Sequence, residues 1–410
     1  MFQDIECGHG GSAGFSSLAV NTPRSLIRDV FDKAARIPGV ISLALGEPAA
    51  TAPAHVVEAG TRAIIDGHTH YTDVLGIPQY RNAVSDYTRR TKGLLYDPDT
   101  EVHATPGATL GLFLALRVLL EPGDEVAVFT PAFGTYEAQV ILCGGVPVPV
   151  PLRREAGMRM EAEQLERAIT PRTKVVILNS PGNPTGAVTD AEELARIAEV
   201  CRARNLWAIS DEVYHPFVFD TGTPDELVAA PSIAAVAGMR ERTVIVDSLS
   251  KVFSMTGWRI GYLLAPRDVV TQTSKLAEQM NSSLNAPAQY AGAAALNGPL
   301  DHVLRMRSQY EATRNLVATA LRGHPLLGAN HSSGAFFTLV DVSQTGLTSQ
   351  RFADELLRRV GVAVVPGEAF GPGGAGMVRL SFAGSPSEVT HGIERMISFA
   401  EDVGRGSLVA

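Results

Sequence analysis

The chain has 410 residues, 35 Lys and Arg against 43 Asp and Glu, a formal charge of −8, 45% hydrophobic residues and 19% charged ones. That length exceeds what one hydrophobic core usually supports, and the composition is that of an ordinary globular protein. The negative balance argues against nucleic acid or an anionic membrane as partner, and three scattered cysteines, Cys7, Cys143 and Cys201, make neither a disulfide framework nor a metal site.

In chain order, residues 1–20 are small, glycine-rich and without periodicity, which predicts a flexible extension. They have no basic n-region or apolar h-region, so no secretory leader is read there and a cytoplasmic location is expected. The longest apolar stretch, Leu110 to Leu120, is too short to span a bilayer and contains Arg117. It reads as a helix, stopped by Glu121-Pro122-Gly123-Asp124. A strand at 125–129, a helical stretch from Tyr136 and a strand at 146–152 follow. Next come a strand at 174–178 and a helix at 190–204, whose start is marked by the capping-box spacing of Thr189 and Glu192. Strands at 206–210 and 243–246 complete the series. Strands separated by helical crossovers imply a mostly parallel sheet covered on both faces, an α/β fold.

Beyond Pro287 the pattern changes: a helical segment at 288–322, a hairpin-like Gly334–Val340, a helix at 348–360 and a strand at Met377–Phe382. The expected organisation is a flexible segment 1–20, an arm 21–54 joining the small domain, a large domain 55–290 and a small α+β domain 291–410. Gly371-Pro-Gly-Gly-Ala-Gly376 matches G-x-G-x-x-G, but it contains a proline and precedes a strand. A dinucleotide fingerprint must follow a strand and open a helix, so this reads as a loop.

Ligands of open α/β sheets bind beyond the carboxyl ends of the strands. There the sequence places Asn183, Asp211, Tyr214, Ser248, Ser250 and Lys251, with Gly107-Ala108-Thr109 before a helix and Phe133 after a strand. Singly, most have ordinary explanations as turns, caps or core aromatics. Lys251 is the exception, because a lysine between apolar runs has no solvated face to occupy. Held there, its amine loses basicity and becomes a nucleophile able to form a Schiff base with an aldehyde. Pyridoxal 5'-phosphate suits the rest of the set. Asp211 answers the pyridine nitrogen, Asn183 and Tyr214 the ring oxygen, and Phe133 the ring face. Ser248, Ser250, Arg259 and the Ala108 and Thr109 amides answer the phosphate.

Gly46-Glu-Pro, Tyr71-Thr-Asp-Val-Leu-Gly76, Asn179-Ser-Pro-Gly-Asn-Pro-Thr-Gly186, Ser210-Asp-Glu-Val-Tyr214, Ser248-Leu-Ser-Lys-Val-Phe-Ser-Met-Thr-Gly-Trp-Arg-Ile-Gly261 and Arg379-Leu-Ser-Phe occur in this order. From about residue 22 to 400 the chain resembles the class I/II aminotransferases of the pyridoxal-phosphate fold-type I superfamily. The resemblance implies a large domain built on a mainly parallel seven-stranded sheet and a homodimer with shared active sites. By resemblance Lys251 carries the cofactor and moves the substrate proton, assisted by Asp211 and Tyr214. Gly107, Ala108, Thr109, Ser248, Ser250 and Arg259 surround the phosphate, and Tyr71 reaches it from the other subunit. Gly46, Asn183 and Arg379 bind the substrate carboxylate. The implied activity is amino transfer between an L-amino acid and a 2-oxo acid. The same cofactor set also serves lyases, decarboxylases, racemases and oxygen-dependent oxidases, and non-catalytic regulatory domains on the same fold. Ala49-Ala50-Thr51 departs from the acidic-aromatic pair common after Gly-Glu-Pro, at the substrate entrance.

Overall fold

The computed structural model describes residues 14–22, 24–223 and 225–406. Its centre is a seven-stranded sheet of β1 (Val102–Thr105), β2 (Glu125–Thr130), β3 (Val146–Pro151), β4 (Thr173–Asn179), β5 (Trp207–Asp211), β6 (Thr243–Ser248) and β7 (Gly261–Leu264), in the order β1-β7-β6-β5-β4-β2-β3. Neighbours from β6 through β3 pair in parallel, while β7 runs antiparallel to both β1 and β6. The sequence reading of strands and crossovers is therefore correct for most of the sheet. β7 has only four residues, and its identity comes from pairing on both edges rather than from a local pattern. Val175, Val176, Ile177, Leu178, Val244, Ile245 and Val246 are all at most 2% exposed. Both faces of these strands are covered, so their runs are continuously apolar instead of alternating. Each such side chain contributes on the order of 1.5–3 kcal/mol on burial.

A second, antiparallel sheet takes Val365–Pro366, Met377–Ser381, Phe337–Asp341 and Gly328–Ala329 in that spatial order. Ile41–Ser42 pairs in parallel with Val362–Ala363, tying the N-terminal arm to this half of the molecule. Several details differ from expectation. The segment 288–322 is two helices, Ala286–Asn297 and Asp301–Leu321. Between them stands Pro299, which has no amide to donate and clashes with the preceding turn. The hairpin-like Gly334–Val340 is part of a wider connection: Gly334 bridges Val218, and Phe337–Asp341 pairs antiparallel with both the nearby Gly328–Ala329 and the distant Met377–Ser381. The helix expected at 190–204 is capped by Asp190, whose carboxylate accepts the Glu193 amide, one residue later than the Thr189–Glu192 spacing suggested. The G-x-G-x-x-G run is a loop containing a short 3₁₀ turn, Pro372–Gly374, ahead of Met377–Ser381. Of the expected flexible extension, residues 1–13 lie outside the described residues, and Ser17–Asn21 form a short helix begun by the Ser16 hydroxyl. Among the described residues, no helix is long and apolar enough to cross a membrane.

Candidate active site

The parallel strands deliver their last residues to one edge. Asn179 ends β4 beside Asp211 at the end of β5, and Asp211 pairs with Val246, two residues before Ser248. A short helix, Leu249–Val252, then presents Ser250 and Lys251. Because β7 is antiparallel, the residues that precede it reach the same edge as those that follow the other strands, which is how Arg259 arrives. Gly261 pairs with both Ser248 and Thr105. Gly107, at φ +81°, turns the chain from β1 into the helix Ala108–Leu119. A Cβ at Gly107 would lie 2.7 Å from the Arg259 guanidinium, so glycine is what lets the cation approach the helix start.

These residues line a cavity of about 580 Å³. Gly46, Ala108, Thr109, Phe133, Asn183, Asp211, Tyr214, Ser248, Ser250, Lys251, Arg259 and Arg379 all contribute to its wall. Gly107 sits just behind, against Arg259. Tyr71 does not line this cavity; it is 88% exposed at the surface.

The Lys251 ammonium donates to the Gly46 carbonyl at 2.8 Å. Loss of water around it lowers its pKa to about 8; Glu47 opposes that, while the Arg379 and Arg259 cations reinforce it. Asp211 is 7% exposed, and burial raises its carboxyl to about 6 against the pull of the Tyr136 hydroxyl, which donates to Oδ2 at 2.7 Å. A buried carboxylate on the cavity wall favours a cationic partner. Burial and the neighbouring Asp211 push the Tyr214 phenol above its ordinary range, opposed by Arg379 and a hydrogen bond from Asn183. The Tyr214 ring is fixed edge-on by Phe336 and Phe337.

Arg379 is 2% exposed, and burial lowers its pKa to about 10. One nitrogen donates to Asn183 Oδ1 at 3.1 Å and another to the Ala44 carbonyl at 2.6 Å, while Nε has no partner. Phe337 and Phe370 flank its plane at 4.5 and 5.0 Å. A buried guanidinium that faces no carboxylate among the described residues, with one donor unpartnered, has the chemistry to receive a ligand carboxylate.

Four further residues join the site that the residue-by-residue reading had not singled out. Tyr136 holds Asp211. The Asn179 amide donates to the Asp211 carbonyl at 3.0 Å, and its Oδ1 accepts the Asn183 amide at 2.8 Å. Glu47 accepts a hydrogen bond from the Thr256 hydroxyl beside Lys251. Asn179 followed a predicted strand and was open to discovery by position; Tyr136 lies 75 residues from its partner, and no local pattern announces such a contact. Leu45 and Phe133 line the cavity as well.

The donor set fits pyridoxal phosphate. It offers an amine of lowered basicity for the aldehyde, a buried carboxylate for the ring nitrogen and a phenol and amide for the ring oxygen. For the phosphate it offers a helix N-terminus without a side-chain cap, two serines and an arginine.

A family model described as "Aminotransferase class I and II" matches residues 38–396. The chain is 41% identical to an arginine–pyruvate transaminase of Pseudomonas aeruginosa over 83% of this chain and 85% of the relative. It is 38% identical to aromatic-amino-acid aminotransferase 2 of Thermococcus litoralis, over 91% of this chain and 94% of that one. Among solved structures, the aspartate aminotransferase of Thermus thermophilus with maleate superposes with a TM-score of 0.88 at 36% identity, covering 94% of this chain and all of that one, 100%.

Proposed function

The chain belongs to the class I and II aminotransferase family, a pyridoxal-phosphate enzyme moving an amino group between an amino acid and a 2-oxo acid, and on that premise we propose which of its residues do the work. The observation that carries the assignment is the meeting of Lys251, Asp211 and Arg379 in one cavity from three distant parts of the chain. Bound pyridoxal phosphate supplies an aldehyde that condenses with amines and an aromatic ring that accepts electrons. Lys251 Nζ is its covalent anchor and, when free, takes and returns the proton at the substrate Cα. Asp211 holds a proton on the ring nitrogen, with Tyr136 keeping its carboxylate in place and Asn179 its backbone carbonyl. Asn183 and Tyr214 hold the ring oxygen and Phe133 covers the ring face. Gly107, Ala108, Thr109, Ser248, Ser250 and Arg259 form the phosphate cup. Arg379 and Asn183, with the backbone at Gly46, hold the substrate carboxylate.

The similar proteins are named for arginine, aromatic amino acids and aspartate. Donor choice therefore falls to the wall away from the cofactor, where Ile27, Phe31 and Leu45 are apolar and Arg28 faces Asp32 at 3.8 Å. A homodimer is proposed from Tyr71, together with Ile64 and Ile65 at 59% and 68% exposure in the preceding helix. The unpaired Cys143 and Cys201 support a reducing, cytoplasmic setting. We retain the division into a large domain, 55–290, and a small one, 291–410.

Purified holoenzyme supplied with a panel of amino acids tests the assignment, with and without a 2-oxo acid. Keto acid should form at multiple turnovers only with an acceptor present. Lys251→Ala should abolish the pH-dependent visible band and lower turnover at least ~10²-fold. A band that survives this change unaltered refutes the role of Lys251.

A further inference from the structure

The chain neighbours of Asp211 and Ser248 are Glu212 and Asp247, and both are buried, at 3% and 1% exposure. Between them lies the ammonium of Lys92, the last residue of the helix Pro78–Lys92, with its side chain 1% exposed. It donates to Glu212 Oε2 at 2.8 Å and to Asp247 Oδ2 at 3.0 Å. Glu212 Oε1 also accepts the Ser210 and Ser232 hydroxyls at 2.8 and 2.6 Å. Asp247 Oδ2 accepts the Tyr262 hydroxyl at 3.0 Å, and Oδ1 accepts the Ser248 amide at 2.7 Å. His215 sets Nδ1 against two acceptors, Asp247 Oδ2 at 3.2 Å and the Glu212 carbonyl at 3.1 Å, so that nitrogen bears the proton. Its Nε2 accepts from the Tyr87 hydroxyl at 3.1 Å.

Burial, with the Lys92 cation, lowers the pKa of His215 against the pull of Asp247. Burial would also raise the Asp247 carboxyl, but Lys92 and His215 outweigh that and hold it at about 2. The group thus contains one cation and two carboxylates, with one negative charge uncompensated. Among the described residues, the titratable groups facing it are Tyr80, Tyr87 and Arg90 from the Lys92 helix, Tyr96 beyond it, Asp211 from β5, His215 after β5 and Tyr262 from β7. Stability alone does not explain such an arrangement, since well-packed apolar residues commonly replace a buried ion cluster without loss.

We propose that Lys92, Glu212 and Asp247 are positioning residues for the cofactor site. One buried cation ties the end of β5 to the end of β6, and the residual negative charge sets the protonation of the groups next to Asp211 and Lys251. The cluster is connected to both ligand-holding residues through the backbone: Glu212 follows Asp211, and the Ser248 amide rests on Asp247. This inference depends on the proposed roles of Asp211 and Lys251.

The test uses the holoenzyme and its Lys92→Met, Lys92→Arg and Asp247→Asn variants. Its readouts are the pH midpoint of the cofactor's visible absorption, the Kd for pyridoxal phosphate and the melting temperature. Lys92→Met removes a positive charge and should raise the midpoint by roughly half a pH unit or more, whereas Asp247→Asn should lower it. Lys92→Met should also weaken cofactor binding about tenfold, and Lys92→Arg should restore most of both properties. If Lys92→Met does not fold, Tyr262→Phe and Ser232→Ala take over. Each strips one hydroxyl from a carboxylate and should move the midpoint upward with a smaller rise in Kd. Opposite shifts support the proposal. A shift of Asp247→Asn in the same direction as Lys92→Met or its hydroxyl substitutes, or a lowered melting temperature with midpoint and Kd unchanged, overturns it. A wild-type protein without a pH-dependent visible band would instead overturn the underlying site assignment.

Discussion

Lys251 and Arg379 show what burial does to a charge that keeps access to a cavity. At Lys251, desolvation brings the amine to about 8, so the reactive free base increases as pH rises through that value. The rate at which cofactor-free protein captures pyridoxal phosphate should therefore increase with pH with a midpoint near 8; a flat profile between pH 6 and 10 would contradict the proposed role. Among the described residues Arg379 pairs with no carboxylate, and its Nε, unpartnered there, lies between two aromatic rings. Lysine keeps the charge but loses the planar fork. Arg379→Lys should lower kcat/KM by roughly 10- to 100-fold for donor and acceptor alike, with KM carrying most of the change. Steady-state kinetics with both substrates reads this directly. The strangeness of Lys251 was visible in one dimension, because the apolar runs on both sides leave a lysine no solvated face. Arg379 has no such local signature: Met377-Val-Arg-Leu-Ser reads equally well as an edge strand. What marks it is enclosure by Ala44, Asn183, Phe337 and Phe370, which are remote in sequence.

The decisive secondary element is β7. Its four residues run against their neighbours, and that reversal brings Arg259 to the edge where Ser248 and Gly107 end. The close approach leaves no room at Gly261, where a Cβ would meet the Asp247 carbonyl at 2.7 Å and the Gly107 backbone at 2.9 Å. Those contacts are backbone and cannot rotate away. Gly261→Ala should cost roughly 1–3 kcal/mol of stability and weaken cofactor binding together, because the strain falls on the proposed phosphate cup. Thermal melting and a cofactor titration check it; an unchanged Kd would mean that the cup tolerates a shifted strand. The parallel strands were legible because both faces are buried and their sequences are continuously apolar. The direction of β7 was not, since direction is a property of pairing. Helix boundaries shifted for similarly local reasons, as at Asp190 and Pro299.

At the scale of the whole molecule, one chain encloses most of a site but leaves Tyr71 outside its own cavity, 88% exposed. If that hydroxyl serves the neighbouring subunit, defects in Lys251 and Tyr71 carried on different subunits fall on the same site. A hybrid dimer of one Lys251→Ala and one Tyr71→Phe subunit should then keep one intact site, with wild-type KM and about half the wild-type kcat per dimer. Parent Tyr71→Phe homodimers should bind pyridoxal phosphate more weakly. A hybrid whose only working site shows the Tyr71→Phe affinity would place the tyrosine in its own subunit's site, and a monomer by sedimentation would remove the premise.

The sequence by itself determined the class of chemistry. A lysine with no reason to be buried, a carboxylate after a strand, and hydroxyls and glycines at strand ends are chosen by what a phosphate, a pyridine nitrogen and an aldehyde require, and those requirements act on residue type and local position. Tertiary structure alone decided which of these groups meet, and with what charge. The support of Asp211 by Tyr136, the enclosure of Arg379 and the sharing of Lys92 between Glu212 and Asp247 all join residues far apart in the chain. Desolvation and Coulomb interaction depend on distance in space, and only the packed fold sets that distance.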